Sequence, residues 1–228
     1  MPEALETSVG LNVLHLFARV TRECDGQAVV DALKTGADAG VQVVPVAMVG
    51  HRADLGLVCL SADTWQLRRL QTGVERAGLD LTYSYVSVTE VSEYAAGVPD
   101  EMKQARLYPT LPPEGKRAFC FYPMSKRRGE VHNWYGLAYE ERESLMLGHG
   151  KIGRTFAGRV LQLVTASTGL DDYEWGVTLF GVTPDVLKEC VYSMRFDPAS
   201  AVYAEFGPFL AGTVGMLSEV CEAVGLGG

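Results

Sequence analysis

The patterning of the chain predicts an α+β fold made of two similar halves. Three observations carry this. Segments with strand-like and helix-like periodicity follow one another in the order βαββαβ before residue 91. The same order returns after residue 116, and the stretch between them is broken by Pro99, Pro109, Pro112 and Pro113. Repeated βαββαβ order implies antiparallel four-stranded units, each burying one sheet face under its helices.

Leu11 to Val20 is a short apolar run of strand length, and Gln27 to Thr35 forms a helix behind it. The valine-rich Val41 to Met48 is the second strand, since β-branched side chains favour the pleated surface. Leu55 to Leu60 is the third. Ser61 caps a helix over Ala62 to Ala77, whose Leu67, Leu70 and Val74 recur at spacings of three and four. Leu79 to Glu90 alternates Leu81, Tyr83, Tyr85 and Ser87 against Thr82, Ser84, Val86 and Val88, as a strand does. Residues 91–116 read as a connector without structure of its own.

In the second half, Arg117 to Pro123 is a strand and Tyr139 to Phe156 a helix. That helix opens with Glu140, Glu141 and Glu143 and meets a stop signal at Gly148-His149-Gly150. Val160 to Thr168 and Glu174 to Gly181 are strands. Thr183-Pro184 opens a helix to Met194, with proline at its first position, and Ala201 to Phe206 begins a last strand. The expected fold is two fused ferredoxin-like units, residues 1–100 and 101–228, forming a dimeric α+β barrel. Two four-stranded antiparallel sheets would pack face to face with helices outside.

At 228 residues and 47% hydrophobic content the chain can bury a large core. The net charge of −8, from 20 basic and 28 acidic side chains, excludes broad nucleic-acid binding. Five widely spaced cysteines with no CxxC pair indicate neither a disulfide framework nor a zinc site. No run approaches the ~18 apolar residues of a membrane helix, and residues 1–10 carry no signal pattern. A cytoplasmic location is expected.

The candidate chemistry lies in residues 117–150. His149, flanked by two glycines, is sterically free to ligate a metal held close to the backbone; the bland alternative is a surface histidine compensating a helix dipole. No two histidines stand at zinc spacing with an acidic third ligand. One histidine per metal suits haem iron, whose macrocycle supplies four nitrogens. Lys126-Arg127-Arg128 is either a solvated loop or a grip for carboxylates. Tyr122 is either a core-edge tyrosine or part of that site, and it shares a strand face with the small Ala118 and Cys120. Trp134, Tyr135, Tyr173 and Trp175 read by default as core. Gln162 shares a face with Val160, Val164 and Ala166, and an amide on an apolar face needs a neighbour or ligand to meet it.

Five segments closely resemble the chlorite dismutase superfamily: YPMSKRR at 122–128, NWY at 133–135, LMLGHGKIGR at 145–154, GRVLQLVTASTGLDDYEWGVTLF at 158–180 and MRFDPASAVYAEFGPF at 194–209. Within it they look like the coproheme decarboxylase branch, which makes haem b. The resemblance is dense from 117 to 210 and general before that. It implies that His149 is the axial iron ligand and that Tyr122 is the residue oxidised to a radical. It implies that Lys126, Arg106 and Ser200 bind propionates, with Met124 beside the reacting groups. Gln162, with Trp134, would line the distal pocket; chlorite-degrading members carry an arginine at the position of Gln162. A branch with a distal histidine would place it at Ala105, and no histidine occurs between 52 and 131.

The activity implied is hydrogen peroxide-dependent decarboxylation of two propionates of iron-coproporphyrin III (coproheme), which is substrate and cofactor at once, to the vinyl groups of haem b. A haem carrier without turnover would keep His149 without requiring Tyr122. A chlorite dismutase would need arginine at 162. The resemblance also implies a homopentamer and allows a transient contact with the coproporphyrin ferrochelatase. No nucleic acid and no membrane span are expected.

Overall fold

The computed structural model describes residues 3–227. In the first half, β1 (Asn12–Val20), β2 (Gln42–Val49), β3 (Leu55–Ser61) and β4 (Leu79–Thr89) lie in the order β4-β1-β3-β2, with α1 (Gly26–Asp38) and α2 (Thr64–Arg76) on one face. Asp25 and Asp63 cap the two helices, each accepting a backbone N–H of the first turn. In the second half, β5 (Ala118–Lys126) is paired on one side with β7 (Trp175–Gly181), which carries β6 (Val160–Ala166). On its other side β5 pairs first with β9 (Leu210–Val214), then with the short β8 (Ala204–Phe206). The helices of this half are α3 (Asp100–Leu107), α4 (Tyr139–Arg154), α5 (Pro184–Met194), α6 (Pro198–Ala201) and α7 (Leu217–Ala223).

The two halves do not stay separate sheets. β2 pairs with β9 from Val46↔Val214 to Val49↔Ala211, and β4 pairs with β6 at Val88↔Ala166 and Thr89↔Thr165. With β5 bonded to β7, the strands close into one antiparallel ring, β8 alone standing outside it. Closure satisfies edges that two face-to-face sheets would leave unpaired.

Three local expectations change. The connector holds α3, bracketed by Pro99 at its N-cap and Pro109 beyond its end, with Asp100 and Glu101 in its first turn. The last strand begins late, because Asp197 caps the one-turn α6 over Pro198–Ala201 and β8 starts only at Ala204. β9 and α7 were not expected: LAGTV is too short and too rich in small residues to show a periodicity.

Strand parity divides the core. The inward faces fill the barrel with Phe17, Tyr85, Phe119, Phe121 and Phe180, none more than 1% exposed. A barrel this full has no room for a ligand. The outward face of the first half is sealed by Val29 and Leu33 of α1 and Leu67, Leu70 and Val74 of α2. The outward face of the second half is covered by Val186, Leu187 and Cys190 of α5. α4, in contrast, has sixteen residues and not one buried. It stands against α5 and α6 without seating a side chain in the core.

A candidate ligand slot beneath an unseated helix

α4 stays helical where the sequence suggested a stop. Gly148 and Gly150 keep negative φ, so neither provides the left-handed turn that ends helices, and the helix runs on to Arg154. His149 therefore sits within the helix and not at its terminus. Glu140 and Glu141 in the first turn and Lys151 and Arg154 in the last complement the dipole of the longer helix. Its half-buried positions include Arg142, Leu145, Met146, His149, Ile152 and Gly153, one face at spacings of three and four. That face looks toward the outer surface of β5, β6 and β7, which presents Cys120, Tyr122, Met124, Gln162, Val164 and Val177.

His149 is held by a residue that sequence reasoning missed. Its Nδ1 is 2.8 Å from a carboxylate oxygen of Asp197, and that oxygen also accepts the N–H of Ser200 at 3.2 Å. Asp197 is 2% exposed. An imidazole anchored at Nδ1–H keeps Nε2 as a free lone pair, the arrangement by which proteins fix a metal-binding histidine. The signal was in the sequence, since Asp-Pro is a helix-opening pair, but its partner lies 48 residues away.

Lys126 is 8% exposed at the end of β5. Its Nζ donates to the carbonyl of Ala199 at 2.8 Å and lies 4.1 Å from the centre of the Trp134 ring. Burial lowers its pKa from 10.5 to about 8, while Asp197 and Glu174 pull the other way. Glu174, 6% exposed, accepts the Lys126 N–H at 2.7 Å. Ser200 is buried on α6 beside this group. Arg127 pairs with Glu205 at 3.3 Å and Arg128 approaches Glu174 at 4.0 Å, so of the three adjacent cations these two are matched by protein carboxylates.

Tyr122, 9% exposed, stacks on Phe209 with ring centres 4.5 Å apart and meets Phe206 edge-on at 5.7 Å. Its hydroxyl makes no hydrogen bond among the described residues. Burial, then the neighbouring Cys120 and Cys190, push the phenol pKa well up, with Arg195 opposing. Met124 is half-buried on the same face. Gln162 is exposed there, its amide 3.7 Å from the Cys190 sulfur, and a Cβ at Gly153 would lie 3.5 Å from that amide. Gly153 is one turn beyond His149 on the same face, so helix and sheet approach closely at this point.

Trp134 is 3% exposed and packs against Lys126 and Tyr203. The one-turn helix Trp134–Gly136, capped by Asn133, positions this ring. Arg106 is exposed in the last turn of α3 and forms no ion pair among the described residues. His51 and His132 are exposed. His15 is buried in the barrel with Nε2 2.8 Å from Thr178, and burial depresses its pKa to about 3.

No group of three or more metal-ligating side chains occurs among the described residues. A metal at His149 must therefore arrive with its other donors, as the iron of a tetrapyrrole does. The outer sheet face, largely apolar, and the polar groups around α6 fit that requirement. Barrel and helix together define a class: closed α+β barrels with one carboxylate-anchored imidazole on a helix outside the barrel.

The chlorite dismutase family profile matches residues 21–215. The chain belongs to that family. It is 46% identical over 177 residues to a coproheme decarboxylase of Staphylococcus carnosus (strain TM300), covering 73% of this chain and 70% of that protein. Its fold superimposes with a TM-score of 0.82 on a heme-binding protein from Thermus thermophilus, at 34% identity over 98% of this chain and 97% of that one. A chlorite dismutase from Candidatus Nitrospira defluvii in complex with imidazole shares the fold at a TM-score of 0.76 and 18% identity, over 96% of each chain. Among the described residues, no helix is long and apolar enough to cross a membrane.

Proposed function

We propose that this chain binds coproheme in the slot beneath α4 and converts two of its propionates to vinyl groups with hydrogen peroxide as oxidant, giving haem b. The observation that carries this is a pairing: an imidazole on α4 fixed by a buried carboxylate, and, on the outer face of β5, a largely buried tyrosine whose hydroxyl bonds to no other described residue. The 46% identity to a coproheme decarboxylase supports it. On this reading the half from 101 to 228 carries the site, and the first half completes the barrel that supports it.

His149 ligates the iron through Nε2, and Asp197 keeps the proton on Nδ1. Bound there, the iron porphyrin supplies the centre at which peroxide is reduced. Tyr122 then acts as a one-electron relay. Because burial keeps the phenol protonated, it gives up its electron and proton together. The resulting phenoxyl takes a hydrogen atom from the β-carbon of a propionate, which restores the phenol. Loss of a second electron and release of carbon dioxide leave the vinyl group. For each vinyl formed, one peroxide is reduced to two waters, so hydrogen, oxygen and electrons balance.

Lys126, Ser200 and Arg106 bind substrate carboxylates, and Met124 lines the wall beside Tyr122. For Lys126 this means exchanging the Ala199 carbonyl for a carboxylate. Gln162 brings no charge and no strong acid or base to the distal side, which suits a slow oxidation better than chlorite breakdown.

Titrating the ferric coproheme complex with peroxide and following product mass tests this. Sequential loss of two carboxyl groups is expected. Bleaching of the macrocycle without decarboxylation would leave a haem carrier. Removing the imidazole in His149→Ala should shift the Soret band, and an unchanged band would overturn the axial assignment.

A further inference from the structure

Arg195 closes α5 and has no place in the assignments above. It makes no ion pair and no side-chain hydrogen bond among the described residues, although the chain is acidic overall. Its guanidinium carbon lies 3.9 Å from the centre of the Phe206 ring and 5.9 Å from that of Phe209. Those are the two rings that enclose Tyr122, edge-on at 5.7 Å and stacked at 4.5 Å.

Its neighbours in sequence fix its place at the rim of the slot. The preceding residue, Met194, comes within 3.3 Å of where a Cβ on Gly153 of α4 would stand. Two residues further on, Asp197 holds His149. Held over an aromatic face, a guanidinium is preorganised while its N–H groups stay available to an anion.

A cation at the C-terminus of a helix compensates the dipole, but that role is met anywhere near the last carbonyls and does not require stacking on the rings that hold Tyr122. We infer that Arg195 is the anchor for the reacting carboxylate: its open fork receives the propionate whose β-carbon faces Tyr122. This deepens, and rests on, the decarboxylase reading. It also adds a specificity element. The two carboxylates that distinguish coproheme from haem b are the ones brought to Tyr122, so Arg195 discriminates substrate from product.

The full chain is titrated with ferric coproheme and separately with haem b, for the wild type, Arg195→Gln and Arg195→Lys. The wild type should prefer coproheme. In Arg195→Gln that preference should fall about ten- to hundredfold, as expected for losing a charge-assisted contact, while haem b affinity stays within about twofold. Arg195→Lys should recover part of the preference, because charge returns without the fork. A residue serving only the fold would weaken both ligands together.

A wild-type preference that survives unchanged in Arg195→Gln overturns the role of Arg195 and leaves the decarboxylase reading standing. A wild type with no preference for coproheme, and no decarboxylation under peroxide, overturns both. If Arg195→Gln loses haem b binding as well, the lysine variant decides: a partly restored preference together with intact haem b binding supports the anchor, and equal weakening of both ligands rejects it.

Discussion

The contact whose removal says most about the site is that between Asp197 and His149. Asp197 accepts from Nδ1 at 2.8 Å and from the Ser200 N–H at 3.2 Å while 2% exposed. It therefore serves two structures at once, the cap of α6 and the orientation of the imidazole. Two substitutions separate them. Asp197→Ala removes both, losing a charge-assisted hydrogen bond of about 1.5–3 kcal/mol and a cap of about 1 kcal/mol. Their sum, roughly 2.5–4 kcal/mol, lowers Tm by about 5–16 °C for a chain of this size. Asp197→Asn keeps a good capping side chain and removes the charge, so Tm should fall by no more than a few degrees. Iron–porphyrin affinity should nonetheless drop about 10- to 100-fold, as when an outer partner of a metal ligand is lost. The assay is a titration of ferric coproheme into each variant, with resonance Raman of the iron–imidazole vibration and a thermal melt. Wild-type affinity and an unmoved vibration in Asp197→Asn would refute the anchoring role.

Three further outcomes follow from the same geometry. Tyr122→Phe keeps the ring that stacks on Phe209, so it should bind coproheme normally and yield no decarboxylated product; full turnover by mass spectrometry removes the relay. Lys126→Met should narrow a pH-dependent stability gap. Burial favours the neutral amine and sets the folded pKa near 8, below the ordinary 10.5. The cost of charging it, on the order of 3 kcal/mol, is fully present below pH 8 and fades as pH rises toward 10.5. Denaturant melts of wild type and variant across that window check this, and parallel pH profiles would contradict it. Gly153→Leu places a side chain where a Cβ already lies 3.3 Å from Met194 and 3.5 Å from the Gln162 amide. Helix propensity rises while the slot fills, so Tm should hold and porphyrin affinity should fall; unchanged affinity would put the ligand elsewhere.

The Tyr122 and Lys126 variants probe residues that periodicity and motif spacing already singled out. The sequence alone determined the repeated βαββαβ order and which side chains share a strand face, because a period of two or of 3.6 is a local property. Its resemblance to the chlorite dismutase superfamily pointed to the family that the comparisons show.

What it did not determine depends on residues far apart in the chain. Closure of the ring rests on β2 meeting β9 and β4 meeting β6, pairings whose strands leave no local trace of their partners. The helix expected over Tyr139 to Phe156 does run through Gly148 and Gly150 to Arg154, but whether those glycines stop it is decided by backbone angles that glycine permits either way. Asp197 and Arg195 matter because α5 and α6 bring them to His149 and Tyr122, across 48 residues in the first case. Only the folded chain shows that α4 buries none of its side chains. The proposed ligand site rests on a helix left unseated over an otherwise sealed barrel, and burial is a property of the assembled core that no single segment specifies.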